Sequence, residues 1–359
     1  MRSPRRRTLQ GIEGAGRKLR LLAHATWEPK AVRRLTAGRK PRRARPWAPS
    51  GGQGHALLFH EDDVCGRAMD QLTELRSAVG AALEPFENIA FSLLFGSGVS
   101  GRLRKDSDLD VAVYGSSGRH LEIETERELA EEAKIQLAVE RATGRNVDLL
   151  VLNRAPAVVC ASAIGTGVPV LIRDESIYSR YILAVTNVAI DFLETERDWR
   201  AIRARSASLS PRDRSRLQRI LAFMEDELKD EREFTDTTLA DYQRDRSLRR
   251  NLDRWVEVLI NGTIDIAKIA QASEDIPIPQ TYAQILDLLP SVSGFGNVSE
   301  EIRNLAPLRN VMAHEYVDLR FTRIRRFIDS DTLIIRQVIA ATRSWMDLAN
   351  SKGEPEAET

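Results

Sequence analysis

The stretch LLFGSGVSGRLRKDSDLDVAVYG, residues 93–115, sets two apolar runs on either side of a polar loop rich in Gly and Ser. The first run ends in Gly96-Ser97 and reads as a strand entering a turn; SDLDVAVYG reads as a second strand. Residues two apart on a strand project to the same face, so Asp108 and Asp110 aim both carboxylates at one spot. Two carboxylates that close repel unless a cation lies between them. Mg²⁺, a hard ion that takes oxygen ligands and phosphate partners, suits the pair. Gly96 lets the backbone approach a phosphate and Ser97 supplies a hydroxyl donor, a small phosphate nest. The plain alternative is a Gly-Ser turn before an Asp-rich strand start, since these residues are common in turns.

Working outward, apolar positions from Val64 to Leu83 recur every three or four residues and predict a helix over 62–84, stopped by Pro85. ENIAFSLLFGS completes the first strand. The charged segment 120–144 predicts an amphipathic helix ending at Gly144. RNVDLLVLN predicts a third strand and VPVLIRD a fourth, with the short segment 155–166 between them. Asp148 in the third strand can add a third carboxylate to Asp108 and Asp110. A carboxylate set of this kind serves metal-assisted phosphoryl or nucleotidyl transfer, in which a carboxylate also helps deprotonate the incoming hydroxyl.

Gly-Ser, ten residues and then Asp-x-Asp resembles the motif of the DNA polymerase β-like nucleotidyltransferase superfamily. The compact size, over roughly 69–173, resembles its minimal branch, the MntA-type antitoxins. The resemblance implies Gly96 and Ser97 as nucleotide-binding residues, Asp108, Asp110 and Asp148 as catalytic metal ligands, Mg²⁺ as cofactor and ATP as substrate.

Beyond Asp174 only helical periodicity remains. Helices are predicted over 175–207, 212–234, 238–273 and 280–289, from Ser299, and over about 322–350, with Ser210 and Pro211 marking a join. The window RNVMAHEYV, residues 309–317, holds Arg309, His314 and Tyr316. His314 can shuttle a proton at a ribose 2′-OH or a leaving oxygen near neutral pH. Arg309 offers a fixed cationic fork to a phosphate in the transition state. The plain alternatives are a packed helix His, a packed Tyr with a wet hydroxyl, and an Arg309 paired with Glu301 or Asp318. On one uninterrupted helix, Arg309 and His314 would point about 140° apart. The Arg-x4-His-x-Tyr pattern, with NLDRWVEVLINGTIDIAKIA and PIPQTYAQILDLL before it, resembles HEPN domains with the tyrosine extension of HepT-type toxins, over about 212–345. That resemblance implies metal-independent RNA cleavage by Arg309 and His314, RNA as substrate, a homodimer or higher oligomer through the HEPN half, and Tyr316 as the hydroxyl modified with AMP.

The expected fold class is therefore two-domain, α+β followed by all-α: a small mixed-sheet nucleotidyltransferase fold and a HEPN helical bundle. The expected boundaries are a basic disordered leader 1–61, a transferase domain 62–174, a linking helix and join 175–210, a helical domain 211–350 and a disordered tail 351–359. The leader stands out by charge. Residues 1–50 hold fifteen Lys/Arg against Glu13 and Glu28, a net +13 that leaves about −12 on the rest of a +1 chain. It reads as a nucleic-acid-binding arm, a transit peptide, or sequence translated upstream of the true start. Cys65 and Cys160 form no disulfide framework and no metal-ligand spacing, which fits a reducing cytoplasm. The most apolar run, APAVVCASAIGTGVPVLI, is broken by Gly and Pro and predicts no membrane span.

In toxin–antitoxin systems of the HepT/MntA type (type VII) the two halves are usually separate proteins. Their fusion here implies a protein adenylyltransferase that moves AMP from ATP onto Tyr316 and silences an RNA endonuclease on the same chain. An alternative is a nucleotidyltransferase acting on a small molecule, aminoglycoside-like, with a non-catalytic helical domain.

Overall fold

A computed structural model describes residues 61–96, 99, 107–116, 118, 121–206, 208–274, 276–312 and 317–351. The basic leader, Ser97, His314, Tyr316 and the tail after Ser351 lie outside the described residues. Internal contacts divide the chain into two compact units. The first takes the residues up to Val113, with 131–150 and 162–173; the second takes 114–130, 151–161 and everything from Asp174.

The first unit carries α1 (Glu61–Leu83), β1 (Ile89–Leu94), most of β2 (Leu109–Gly115), α2 (Glu132–Thr143), β3 (Val147–Val151) and β4 (Val168–Ile172). The four strands form one sheet in the order β3-β2-β1-β4. β1 is buried along its whole length, which suits a central strand with covered faces. β4 runs antiparallel to it, pairing Phe91 with Ile172 and Leu94 with Val168, with an irregularity between Ser92 and Leu93. Arg173, just past β4, donates to the carbonyls of Ile89 (3.2 Å) and Leu83 (3.4 Å) and so satisfies acceptors left bare where α1 ends.

The helix expected over 120–144 forms only from Glu132; residues 121–130 are irregular. Tertiary partners claim the amides that a helix would have used. Glu122 N–H donates to the Tyr114 hydroxyl (2.8 Å) and Thr125 N–H to the Asn153 carbonyl (3.0 Å), while Leu121 and Ile123 are buried. Glu124 and Glu131 both adopt left-handed backbone, at φ 54° and 62°, which ends any helical path. The segment left unassigned between the third and fourth strands forms α3 (Ala157–Thr166).

The second unit is built from α4 (Glu175–Arg205), α5 (Pro211–Glu227), α6 (Glu231–Phe234), α7 (Leu239–Arg244), α8 (Arg246–Ala272), α9 (Tyr282–Asp287), α10 (Leu305–Met312), α11 (Val317–Arg326) and α12 (Thr332–Ser351). Ser210 caps α5 by accepting from Asp213 N–H at 3.2 Å, with Pro211 in the first turn. The helix expected over 238–273 is broken at Asp245, whose carboxylate accepts from the amides of Ser247 (2.7 Å) and Leu248 (3.0 Å) and starts α8 afresh. The expected last helix is likewise two helices, α11 and α12, joined by a π-turn over Phe327–Asp331. α8 is the axis of the core: from Thr263 to Ala272 it is buried nearly all round, as a helix surrounded by others must be. Trp255 stacks between Phe234 (5.1 Å between centroids) and Phe327 (5.7 Å). Lys268, 5% exposed, lies between the carboxylates of Asp198 (2.7 Å) and Asp265 (2.6 Å), both of which also pair with Arg216. Such a charge is tolerable in the interior only because it is paired. No helix among the described residues is long and apolar enough to cross a membrane.

Candidate functional site

Two clusters carry the chemistry singled out in the sequence, one in each unit. In the first unit Phe95 N–H donates to the Asp110 carbonyl at 3.1 Å, which fixes the end of β1 against the start of β2. Gly96 follows with φ +67°. A Cβ built there would collide with Oδ2 of Asp110 and stand 2.8 Å from its Cγ. Only glycine meets both demands, a left-handed backbone and no side chain toward the carboxylate. Leu109 N–H donates to the Asn146 carbonyl at 2.8 Å, so β2 and β3 are pinned at the same end of the sheet. Asp110 and Asp148 are each the second residue of these neighbouring strands; Asp110 is half-buried between the buried Leu109 and Val111, and Asp148 is exposed after the buried Val147. Asp108 is exposed just before β2, two residues from Asp110.

Hard oxygen donors on an accessible strand end, with a backbone cradle beside them, fit the ligand chemistry of Mg²⁺ for Asp108 and Asp110. Among the described residues no three His, Cys, Asp or Glu side chains are gathered to hold an ion, so Asp148 is near the pair in topology without closing a three-ligand set.

In the second unit Arg309 lies on α10, 16% exposed at its side chain. Among the described side chains its carboxylate partner is Asp191 of α4 and not Glu301: Nη2 donates to Asp191 Oδ2 at 3.2 Å and Nε to Asn261 Oδ1 of α8 at 3.2 Å, while the side chain of Asp318 lies outside the described residues. The guanidinium carbon lies 3.8 Å from the centroid of the Tyr282 ring. A cleft of about 210 Å³ opens here, lined among others by Asn187, Asp191, Asp253, Glu257, Asn261 and Arg309. It is richer in carboxylates than a simple cationic phosphate pocket. His314 and Tyr316 lie outside the described residues.

Sequence reasoning missed Asp191, Asn261 and Tyr282, and also Glu124. Glu124 is half-buried; Oε1 accepts from Ala157 N–H at 2.9 Å and the buried Oε2 has no hydrogen-bond partner among the described residues. Burial pushes its pKa up, against the Ala157 amide, the Asn310 side chain and the positive charge of Arg309, which pull it down. Asn310, 6% exposed, has its own Oδ1 unpartnered among the described residues. Burial likewise pushes the Cys160 thiol up to about 12, so this cysteine is an unreactive packing residue. The one legible signal was on α4: Asn187, Asp191 and Thr195 recur at four-residue steps along a helix whose neighbouring face is apolar.

Residues 79–176 match the family model described as Polymerase beta, Nucleotidyltransferase, and residues 224–341 match Ribonuclease HepT-like. No curated protein and no solved structure matches the chain. Residues 114–130 and 151–161, inside the first matched range, belong to the second compact unit, and residues 177–223 lie in neither match.

Proposed function

Because the chain joins a polymerase β-type nucleotidyltransferase domain to a HepT-like ribonuclease domain, we propose that it is a fused toxin–antitoxin protein whose first half moves AMP from ATP onto Tyr316 of its second half. The observation that carries the transferase reading is Gly96, a left-handed glycine whose missing side chain leaves its backbone against the Asp110 carboxyl. Asp108 and Asp110 would hold Mg²⁺, which when bound neutralises triphosphate charge, with Asp148 beside them on the neighbouring strand. The Gly96 backbone and the Ser97 hydroxyl orient the phosphates. Asp148 takes the proton of the Tyr316 phenol, whose pKa of about 10 lies far below that of an aliphatic alcohol. The phenolate oxygen attacks the α-phosphorus, the new O–P bond forms, the bond to the β-phosphate breaks, and pyrophosphate leaves. In the second half Arg309 holds the phosphate to be cleaved and His314 moves the proton. A HEPN homodimer would bring two such motifs together.

The experiment is intact-mass measurement of the full chain with ATP and Mg²⁺, followed by peptide mapping and an RNA cleavage assay. One or more AMP units should appear on Tyr316, with cleavage falling in step. Tyr316→Phe should stay unmodified and keep cutting in the presence of ATP; His314→Ala should lose cleavage and keep transfer. AMP mapped to another residue, with Tyr316 clean, removes the proposal. Transfer to an aminoglycoside in place of the protein would favour a small-molecule enzyme.

A further inference from the structure

We infer that helix α4 caps the Arg309 site, with Asp191 standing where an RNA phosphate would bind, so that the chain carries its own competing occupant of that position. The inference deepens the ribonuclease reading and rests on Arg309 as the phosphate-holding residue. The Nε–H and Nη2–H of an arginine leave the guanidinium on the same side and form a fork that takes two oxygens of a carboxylate or phosphate. Here both tines are taken, one by Asn261 Oδ1 and the other by Asp191 Oδ2, each at 3.2 Å. Tyr282 stacks on the guanidinium plane at 3.8 Å and fixes its direction.

α4 also holds that tyrosine. Phe192 meets the ring edge-on at 5.2 Å, and the Thr195 hydroxyl lies 3.2 Å from the Tyr282 hydroxyl. Asn187, Asp191 and Thr195 follow at four-residue steps, so one stripe of the helix serves the cleft and the ring together. Asp191 sits near the middle of a 31-residue helix, where the backbone holds it in place without a flexible loop. Apart from its first two residues, α4 lies outside both matched ranges. The cap is thus supplied by a part of the chain that the ribonuclease family model does not include.

Charge supports the same reading. Asp253 and Glu257 line the cleft with Asp191. Asp253 is engaged by Arg320 (2.8 Å) and Glu257 by Arg254 (3.1 Å), which leaves Asp191 as the carboxylate on Arg309 itself. The Asp191 side chain is 57% exposed, so the ion pair is weak and a polyanion can displace it.

The test uses the full chain as wild type, Asp191→Asn, Arg309→Gln and the double variant, titrated calorimetrically with inorganic phosphate. Any other phosphate site contributes equally to all four. Asp191→Asn should bind phosphate about twofold to fivefold more tightly, the range an exposed ion pair allows, and the gain should vanish in the double variant. Asp191→Ala, with a better helix former, should show the same gain and guards against a local effect of asparagine. Unchanged or weaker binding in both Asp191 variants, or a gain that survives Arg309→Gln, overturns the cap. Cleavage of single-stranded RNA is measured in parallel. A phosphate gain with no cleavage by any variant upholds the cap and removes the ribonuclease reading. Cleavage without any phosphate gain does the reverse.

Discussion

Replacing Gly96 by alanine strikes the transferase site through the backbone alone. At φ +67° an L-residue costs about 1–2 kcal/mol relative to its preferred conformations, a cost glycine escapes. The added methyl would overlap Oδ2 of Asp110 and stand 2.8 Å from its Cγ, where carbon atoms normally keep about 3.5–4.0 Å. The carboxyl group must therefore swing by about 1 Å. A ligand displaced by that much typically lowers a positioned reaction about 100-fold. At about 4–8 °C per kcal/mol for a domain of this size, the stability term corresponds to a fall in melting temperature of about 4–16 °C. Single-turnover mass spectrometry with ATP and Mg²⁺ reads the first effect, and calorimetry of the full chain reads the second. Wild-type transfer at an unchanged melting temperature would refute the claim that Gly96 is dictated by Asp110. A lower melting temperature with full transfer would keep the strain argument and release Asp110 from its role.

Two further outcomes test the second unit. The buried Glu124 carboxyl holds its proton to higher pH when folded than when unfolded, so folding takes up a proton between the two pKa values and stability falls as pH rises through that window. Glu124→Gln, which mimics the protonated form, should then gain in melting temperature relative to wild type more at pH 8 than at pH 4.5; a larger loss at pH 8 would mean that attraction to Arg309 outweighs burial. Lys268→Met keeps the packed stem and leaves Asp198 and Asp265, each about a third exposed, with Arg216 as their remaining partner, and should cost about 1 kcal/mol in chemical denaturation. A cost under about 0.5 kcal/mol would show that the buried ammonium is as easily replaced by carbon.

The strands, the cap at Ser210 and the glycine turn before Asp110 were legible because each is written in local chemistry. Short apolar runs bounded by turn residues marked β1 to β4, Ser210-Pro211 marked the start of α5, and Gly96 with Asp108 and Asp110 fell within one short window. What the sequence could not specify is where backbone amides and charged side chains find distant partners. Residues 121–130 have helical composition, yet their donors go to Tyr114 and Asn153, so the helix waits until Glu132. Arg309 had acidic residues close by in sequence, but its carboxylate comes from Asp191, 118 positions upstream. Local propensity is a matter of tenths of a kcal/mol per residue, whereas an unpaired buried amide or charge costs several times more. Only the packed chain can decide which groups meet that demand, and here it decided both the break before α2 and the acid that faces Arg309.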